Sequence, residues 1–171
     1  MEREKRLKCT AYHEAGHAVA SYFMGRKFKK VVLQIDQSPP GYIEYTKRKK
    51  YTSYKQLEDD IFISLAGPAA ESVFTGKMNW YRARFDLESA RRLYGSCKYK
   101  EVYIFWTLHR AETFIRDNWR CVDALALELI RVDKLAYQKV RNIIYKSLFY
   151  WNASIPELRD ARDLTISKNE A

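Results

Sequence analysis

Residues 3 to 24 set Leu7, Ala11, Ala15, Ala18, Val19 and Tyr22 close to helical spacing, which predicts an amphipathic helix stopped by Gly25. Inside that helix the run "AYHEAGHAVA" holds His13 and His17 four residues apart, with Glu14 beside the first. Residues i and i+4 lie one turn apart on one helix face, so both imidazoles can point at one ion. Glu14 is rotated by about 100° from His13, which puts its carboxylate beside the ion and within reach of a water. Two ligands and a general base on one rigid turn are what make an HExxH segment work. Zinc brings a water's pKa to about 7 and polarises a scissile carbonyl. The glutamate takes the water's proton and later passes it to the leaving amine. The competing reading is a pair of core or solvated histidines on an ordinary helix. Against it, the chain has 3 histidines in 171 residues, and two of them fall at ligand spacing. Gly16 also costs about 1 kcal/mol relative to alanine in a helix interior, which implies close approach by another element.

A catalytic zinc needs a third protein ligand and an open position. The extended motif HExxHxxGxxH is excluded, because Ala20 and Phe23 stand where its glycine and third histidine belong. Two downstream carboxylates are candidates, Glu71 and Asp86, each within or at the start of a predicted helix; spacing does not choose between them. The remaining histidine, His109, sits in "YIFWTLHRAETF" and reads as a core or surface residue.

The rest of the chain is mostly helical in pattern. "KKVVLQI" and "GYIEYT" are β-rich and are separated by the loop-forming "DQSPPG", which predicts two strands of a small sheet. Thr52 or Ser53 is expected to cap a helix running to about Phe74 and ended by Thr75-Gly76, with Pro68 kinking or splitting it. Residues 77 to 85 read as a loop entering a helix near Asp86, which Gly95 and Ser96 end. Residues 100 to 131 are helical with a bend near Asn118, and Asp133 is expected to N-cap a last helix reaching about Trp151. The expected fold is therefore α+β, mainly α-helical, with a small sheet or hairpin beside the histidine-bearing helix. One domain covers residues 1–151 and a polar tail residues 152–171.

Lys and Arg number 31 against 21 Asp and Glu, a formal charge of +10. A nucleic-acid, anionic-membrane or acidic-protein partner is compatible with that balance, and none is specified by it. "KFKK" at 27–30 and "KRKK" at 47–50 (Lys47, Arg48, Lys49, Lys50) flank the predicted strands, with Tyr51 and Tyr54 nearby. Such a surface can hold single-stranded nucleic acid or an acidic protein, although a solvated basic face is the simpler reading. Cys9, Cys97 and Cys121 form no CxxC pair or disulfide framework and suit a reducing cytosol. "MEREKRLK" is not a secretory signal, and "IFISLAGPAAESVF" is too short and interrupted to span a bilayer, so a cytoplasmic protein is expected. No GxxxxGK[ST] run is present, so no ATP site of that kind is expected.

Three segments in order, "AYHEAGHAVA", "ISLAGPAAESVFTG" and "ARFDLESAR", resemble the peptidase domain of the FtsH family of ATP-dependent zinc proteases. That family's segments read approximately AxHEAGHAxxA, LAGRAAEExxFG and GAxxDLxxAT. The match spans residues 10 to 92, and "ETFIRDNWRCVDALALELIRVDKLAYQKVRNII" is more loosely similar to the family's C-terminal helices. The resemblance implies that His13 and His17 are ligands of one Zn2+ per chain, that Glu14 is the catalytic glutamate and that Asp86 completes the zinc site. Glu71 matches the acidic position of LAGRAAE, where it would orient a ligand histidine through its free ring nitrogen; an exposed helical glutamate is the other reading. A mainly helical fold, unfolded polypeptide substrates and pairing of an extended substrate with a sheet edge from "VVLQI" or "GYIEY" are implied as well.

Departures from the family pattern matter too. Only ten or so residues precede the motif, so the family's ATPase and membrane helices are expected to be absent and hexamers are not implied. The expected activity is a zinc metalloendopeptidase for already unfolded or flexible polypeptides, or one that borrows a separate unfoldase. The alternative is a basic binding module on the same scaffold with weak or no proteolysis. Pro68 stands in place of the arginine of LAGRAAE, and Arg82 and Phe85 replace small or polar residues ahead of Asp86. Those two bulky residues are expected to narrow the cleft, change the substrate or suppress activity.

Overall fold

Glu2 and Glu4 sit in the first turn of helix α1 (Glu2–Phe23), where negative charge suits the helix dipole. The computed structural model describes residues 2–47 and 51–153. From Cys9 to Ser21 every α1 residue except His13 is buried, and the small side chains there let a second helix come close. That helix is α2 (Tyr54–Thr75). A Cβ on Gly16 would lie 2.5 Å from the Ala66 carbonyl oxygen and 2.5 Å from the Ala70 Cβ, so α2 is the element whose approach the glycine implied.

The ends of α2 follow their local chemistry. Ser53 accepts from the Gln56 N–H at the start, and Gly76 closes the end in the left-handed region at φ 76°. Pro68 was expected to kink or split the helix; it does not split it, and α2 runs through it as one element. The ring removes one backbone donor; α2 packs against α1, α3 (Trp80–Tyr94) and α4 (Lys100–Asp117), which hold it on several sides.

Asn118 separates α4 from α5 (Trp119–Val132), at the position where a bend was expected. Helix α5 packs on α1, and α6 (Tyr137–Ala153) packs on α5. Val19, Leu65, Ile104, Ile115, Leu125, Leu129 and Ile144 are fully buried between these helices. Each such side chain contributes about 1.5–3 kcal/mol by leaving water.

A three-stranded antiparallel sheet of order β2-β1-β3 is formed by β1 (Phe28–Leu33), β2 (Gly41–Tyr45) and β3 (Lys134–Ala136). Val31 pairs with Ile43 on one side and Leu135 on the other. Phe28, Val31, Leu33 and Leu135 are buried in the core, while Lys29 and Glu44 pair outside at 2.7 Å. The fold is α+β and mainly helical.

Two local expectations are corrected. Asp133 does not cap the last helix; it ends α5 in the left-handed region at φ 59°, its N–H on the Leu129 carbonyl, and the chain turns into β3 before α6 starts. Aspartate tolerates that conformation better than most residues. Helix α3 begins at Trp80 rather than near Asp86, because Asn79 accepts from the Arg82 N–H and caps it there. Asp86 therefore lies inside α3, one turn after Arg82 and on the same face.

Candidate metal centre

His13 and His17 stand on successive turns of α1, and their Nε2 atoms face each other at 3.1 Å. The Nδ1–H of His17 donates to the Ile63 carbonyl on α2 at 2.7 Å, which leaves its Nε2 as the nitrogen with a free lone pair. Gly67 makes room for this ring, because a Cβ there would overlap the His17 Nε2, Cε1 and Cδ2. Helix α3 brings in Asp86, whose Oδ2 is 3.2 Å from the His13 Nε2 and whose Oδ1 is 3.4 Å from the His17 Nε2. Among the described residues these three offer ligand atoms all within 4.8 Å of one another.

Glu14 is buried, and its carboxylate lies against Gly41 at the start of β2: a Cβ on Gly41 would fall 2.8 Å from its Oε1. Glu71, on α2, approaches the other ring nitrogen of His13, with Oε2 3.3 Å from Nδ1 and out of hydrogen-bond alignment with it. Its Oε1 is 2.7 Å from the Arg82 Nε, an ion pair that is likewise out of hydrogen-bond alignment. The other reading of Glu71, an exposed helical glutamate, does not hold, since the residue is 3% exposed.

The electrostatics of this cluster favour positive charge between the carboxylates. Burial works against a charged His13, but Asp86 and Glu71 outweigh it and push its pKa up to about 10. Burial would raise Asp86, yet His17 and His13 hold it well below the usual carboxylate range. Burial is again opposed at Glu71, where His13 and Arg82 keep the carboxyl low. Glu14 is different: burial prevails over the two histidines and raises its pKa. Two imidazoles and one carboxylate converging on a point that demands a cation are a donor set that fits zinc.

The cluster lines a cleft of about 590 Å³. Gly41, Tyr42, Ile43 and Tyr45 of β2 form one wall, so the strand at the edge of the sheet faces the site. Tyr81 and Phe85 of α3 also line the cleft and are 73% and 69% exposed. Phe85 thus stands at the rim, its ring under the Arg84 guanidinium at 4.6 Å, and Arg82 reaches inward to Glu71 and Thr10.

Lys47 is exposed and does not line the cleft, and Arg48, Lys49 and Lys50 lie outside the described residues. Lys29 and Lys30 both pair with Glu44, at 2.7 and 3.1 Å. Two contributors to the site, Gly67 and the Ile63 carbonyl, escaped the sequence reasoning, and Arg82, read there only as a bulky cleft residue, is also the partner of Glu71. Arg82 was signalled by its place one turn ahead of Asp86, and Gly67 by the same helix-interior argument that singled out Gly16. The carbonyl left no signal.

The sequence profile of peptidase family M41 matches residues 1–95. The chain is 34% identical over 76 residues to the mitochondrial inner membrane m-AAA protease component AFG3L2 of Mus musculus, a match covering 42% of this chain and 9% of that protein. It is 31% identical over 90 residues to the ATP-dependent zinc metalloprotease FtsH of Marinobacter nauticus, covering 50% of this chain and 14% of the relative. With the FtsH of Cupriavidus metallidurans it shares 33% identity over 97 residues, 53% of this chain and 14% of the other. The chain matches only 9% to 14% of the length of these relatives.

Proposed function

The chain belongs to peptidase family M41, and we propose that it is a zinc metalloendopeptidase for unfolded or flexible polypeptides. The observation that carries this reading is the approach of both Asp86 oxygens to the Nε2 atoms of His13 and His17, with Glu14 buried beside them in an open cleft. His13, His17 and Asp86 would hold the ion. Zinc there would supply Lewis-acid polarisation of the scissile carbonyl and an acidified water.

The chain's own residues do the rest. Glu14 acts as the general base, and its burial makes the carboxylate more basic than one in water. The same carboxyl returns the proton to the leaving nitrogen. His17 is held in one tautomer by the Ile63 carbonyl, and His13 is backed by Glu71. The outer edge of β2 offers backbone groups to an extended substrate, a mode that selects unfolded chain over folded surface.

These 171 residues contain no GxxxxGK[ST] run, and the proposed substrates are chains that are already unfolded or are delivered by an unfoldase. A cytoplasmic setting fits the three free cysteines. None of the described helices is long and apolar enough to cross a membrane.

Cleavage of casein by zinc-loaded protein tests the reading. Wild type is expected to cut, chelator to stop it, and Glu14→Gln to lower the rate by roughly 10²–10⁴-fold, as loss of a general base does. Cleavage that survives both treatments, or no cleavage by zinc-loaded wild type, contradicts it.

A further inference from the structure

Glu71 is a carboxylate with 4% of its side chain exposed, and it faces two buried nitrogens as ion pairs out of hydrogen-bond alignment: the His13 Nδ1 at 3.3 Å from Oε2 and the Arg82 Nε at 2.7 Å from Oε1. Arg82 does more than meet this partner. Its Nη2 donates to the Thr10 hydroxyl at 3.1 Å, and that hydroxyl donates to the Arg6 carbonyl at 2.9 Å. One guanidinium on α3 therefore touches α1 and α2. These three helices also carry His13, His17 and Glu14 (α1), Glu71 (α2) and Asp86 (α3).

A buried carboxylate takes its orientation from its cationic partners, because leaving it unpaired is costly. A guanidinium is a planar, permanently charged fork that holds position better than a flexible ammonium. With Oε1 held by Arg82, the second oxygen is the one presented to His13. We propose that Arg82 is a positioning residue of the metal centre: it fixes Glu71 beside the His13 Nδ1 and so sets the direction in which the His13 Nε2 is presented. This rests on the reading of His13 as a zinc ligand.

The test compares wild type with Arg82→Met, Arg82→Lys, Glu71→Gln and the double variant Arg82→Met/Glu71→Gln. Zinc affinity is measured by competition with a chromophoric chelator, and cobalt-loaded protein gives the visible absorption spectrum. Arg82→Met is expected to bind zinc roughly 10-fold or more weakly, the usual effect of losing a group behind a ligand. Its cobalt bands should shift, and Arg82→Lys, which keeps the cation, should recover most of the affinity. The double variant should bind no more weakly than Glu71→Gln, because Arg82 acts through Glu71. If Arg82→Met does not fold, Arg82→Gln removes the charge while keeping a polar reach to Thr10, and the same two measurements apply. Unchanged affinity and spectrum, or full additivity in the double variant, overturns the inference. A wild type that binds no zinc overturns the proposed function instead, so the two failures are distinguishable.

Discussion

The imidazole of His17 lies against Gly67 so closely that a single added carbon on that glycine would overlap three ring atoms. The ring is also held from its other nitrogen by the Ile63 carbonyl, four residues earlier on the same helix. Helix α2 is thus the mould in which one candidate ligand is set. Gly67→Ala is expected to displace the ring and weaken zinc binding by roughly 10-fold or more, the scale seen when ligand-orienting contacts are lost. Overpacking should also destabilise the metal-free protein by about 1–3 kcal/mol. Zinc titration and urea unfolding check both effects, and an alanine variant with wild-type affinity would contradict the account of this contact.

Gly16 makes the corresponding argument for α1. Alanine there gains up to about 1 kcal/mol in helix propensity, but its Cβ would meet the Ala66 oxygen and the Ala70 Cβ at 2.5 Å. Backbone stands on the far side of that contact and does not give way easily. Gly16→Ala is expected to destabilise the metal-free protein by about 1–3 kcal/mol net. A higher urea midpoint in the variant would show that α1 and α2 are not in close contact at this position.

The cysteines separate by burial. Cys121 is buried, and desolvation pushes its thiol up to about 11, while Cys97 is partly exposed. An unfolded thiol titrates near about 8.5. The folded value lies above that, so the stability contributed by a neutral Cys121 is present below about 8.5 and is lost as pH rises toward the folded value. Alkylation with iodoacetamide at pH 8, followed by peptide mass analysis, should label Cys97 much faster than Cys121. Labelling of Cys121 should accelerate above pH 9 together with a falling thermal midpoint. Equal labelling of the two residues at pH 8 would refute the burial argument.

Much of the fold was legible because local chemistry and packing agreed. Helix α1, strands β1 and β2, and the Ser53 and Gly76 ends of α2 follow from periodicity and end-capping residues. Strand β3 was not foreseen: it has three residues and one buried side chain, Leu135, too short for any alternation to register. Its pairing with Val31 is a long-range contact that assigns Asp133 a role opposite to its local preference. In the site, the spacing of His13 and His17 was enough to put them on one face. The approach of Asp86 rather than Glu71 to both Nε2 atoms depends on how α3 docks, which no local pattern encodes. For that choice the resemblance to a family was needed, and the pairing of Arg82 with Glu71 emerged only from the packed helices.

Metal analysis of protein purified without added zinc bears most directly on the central claim, that His13, His17 and Asp86 hold one ion. About one equivalent of zinc is expected in wild type and in Glu14→Gln, with loss of the metal in His17→Ala and in Asp86→Ala, since a site of this class uses three protein ligands. A wild type without bound metal even after zinc loading, or an Asp86→Ala variant that retains a full equivalent, would contradict it.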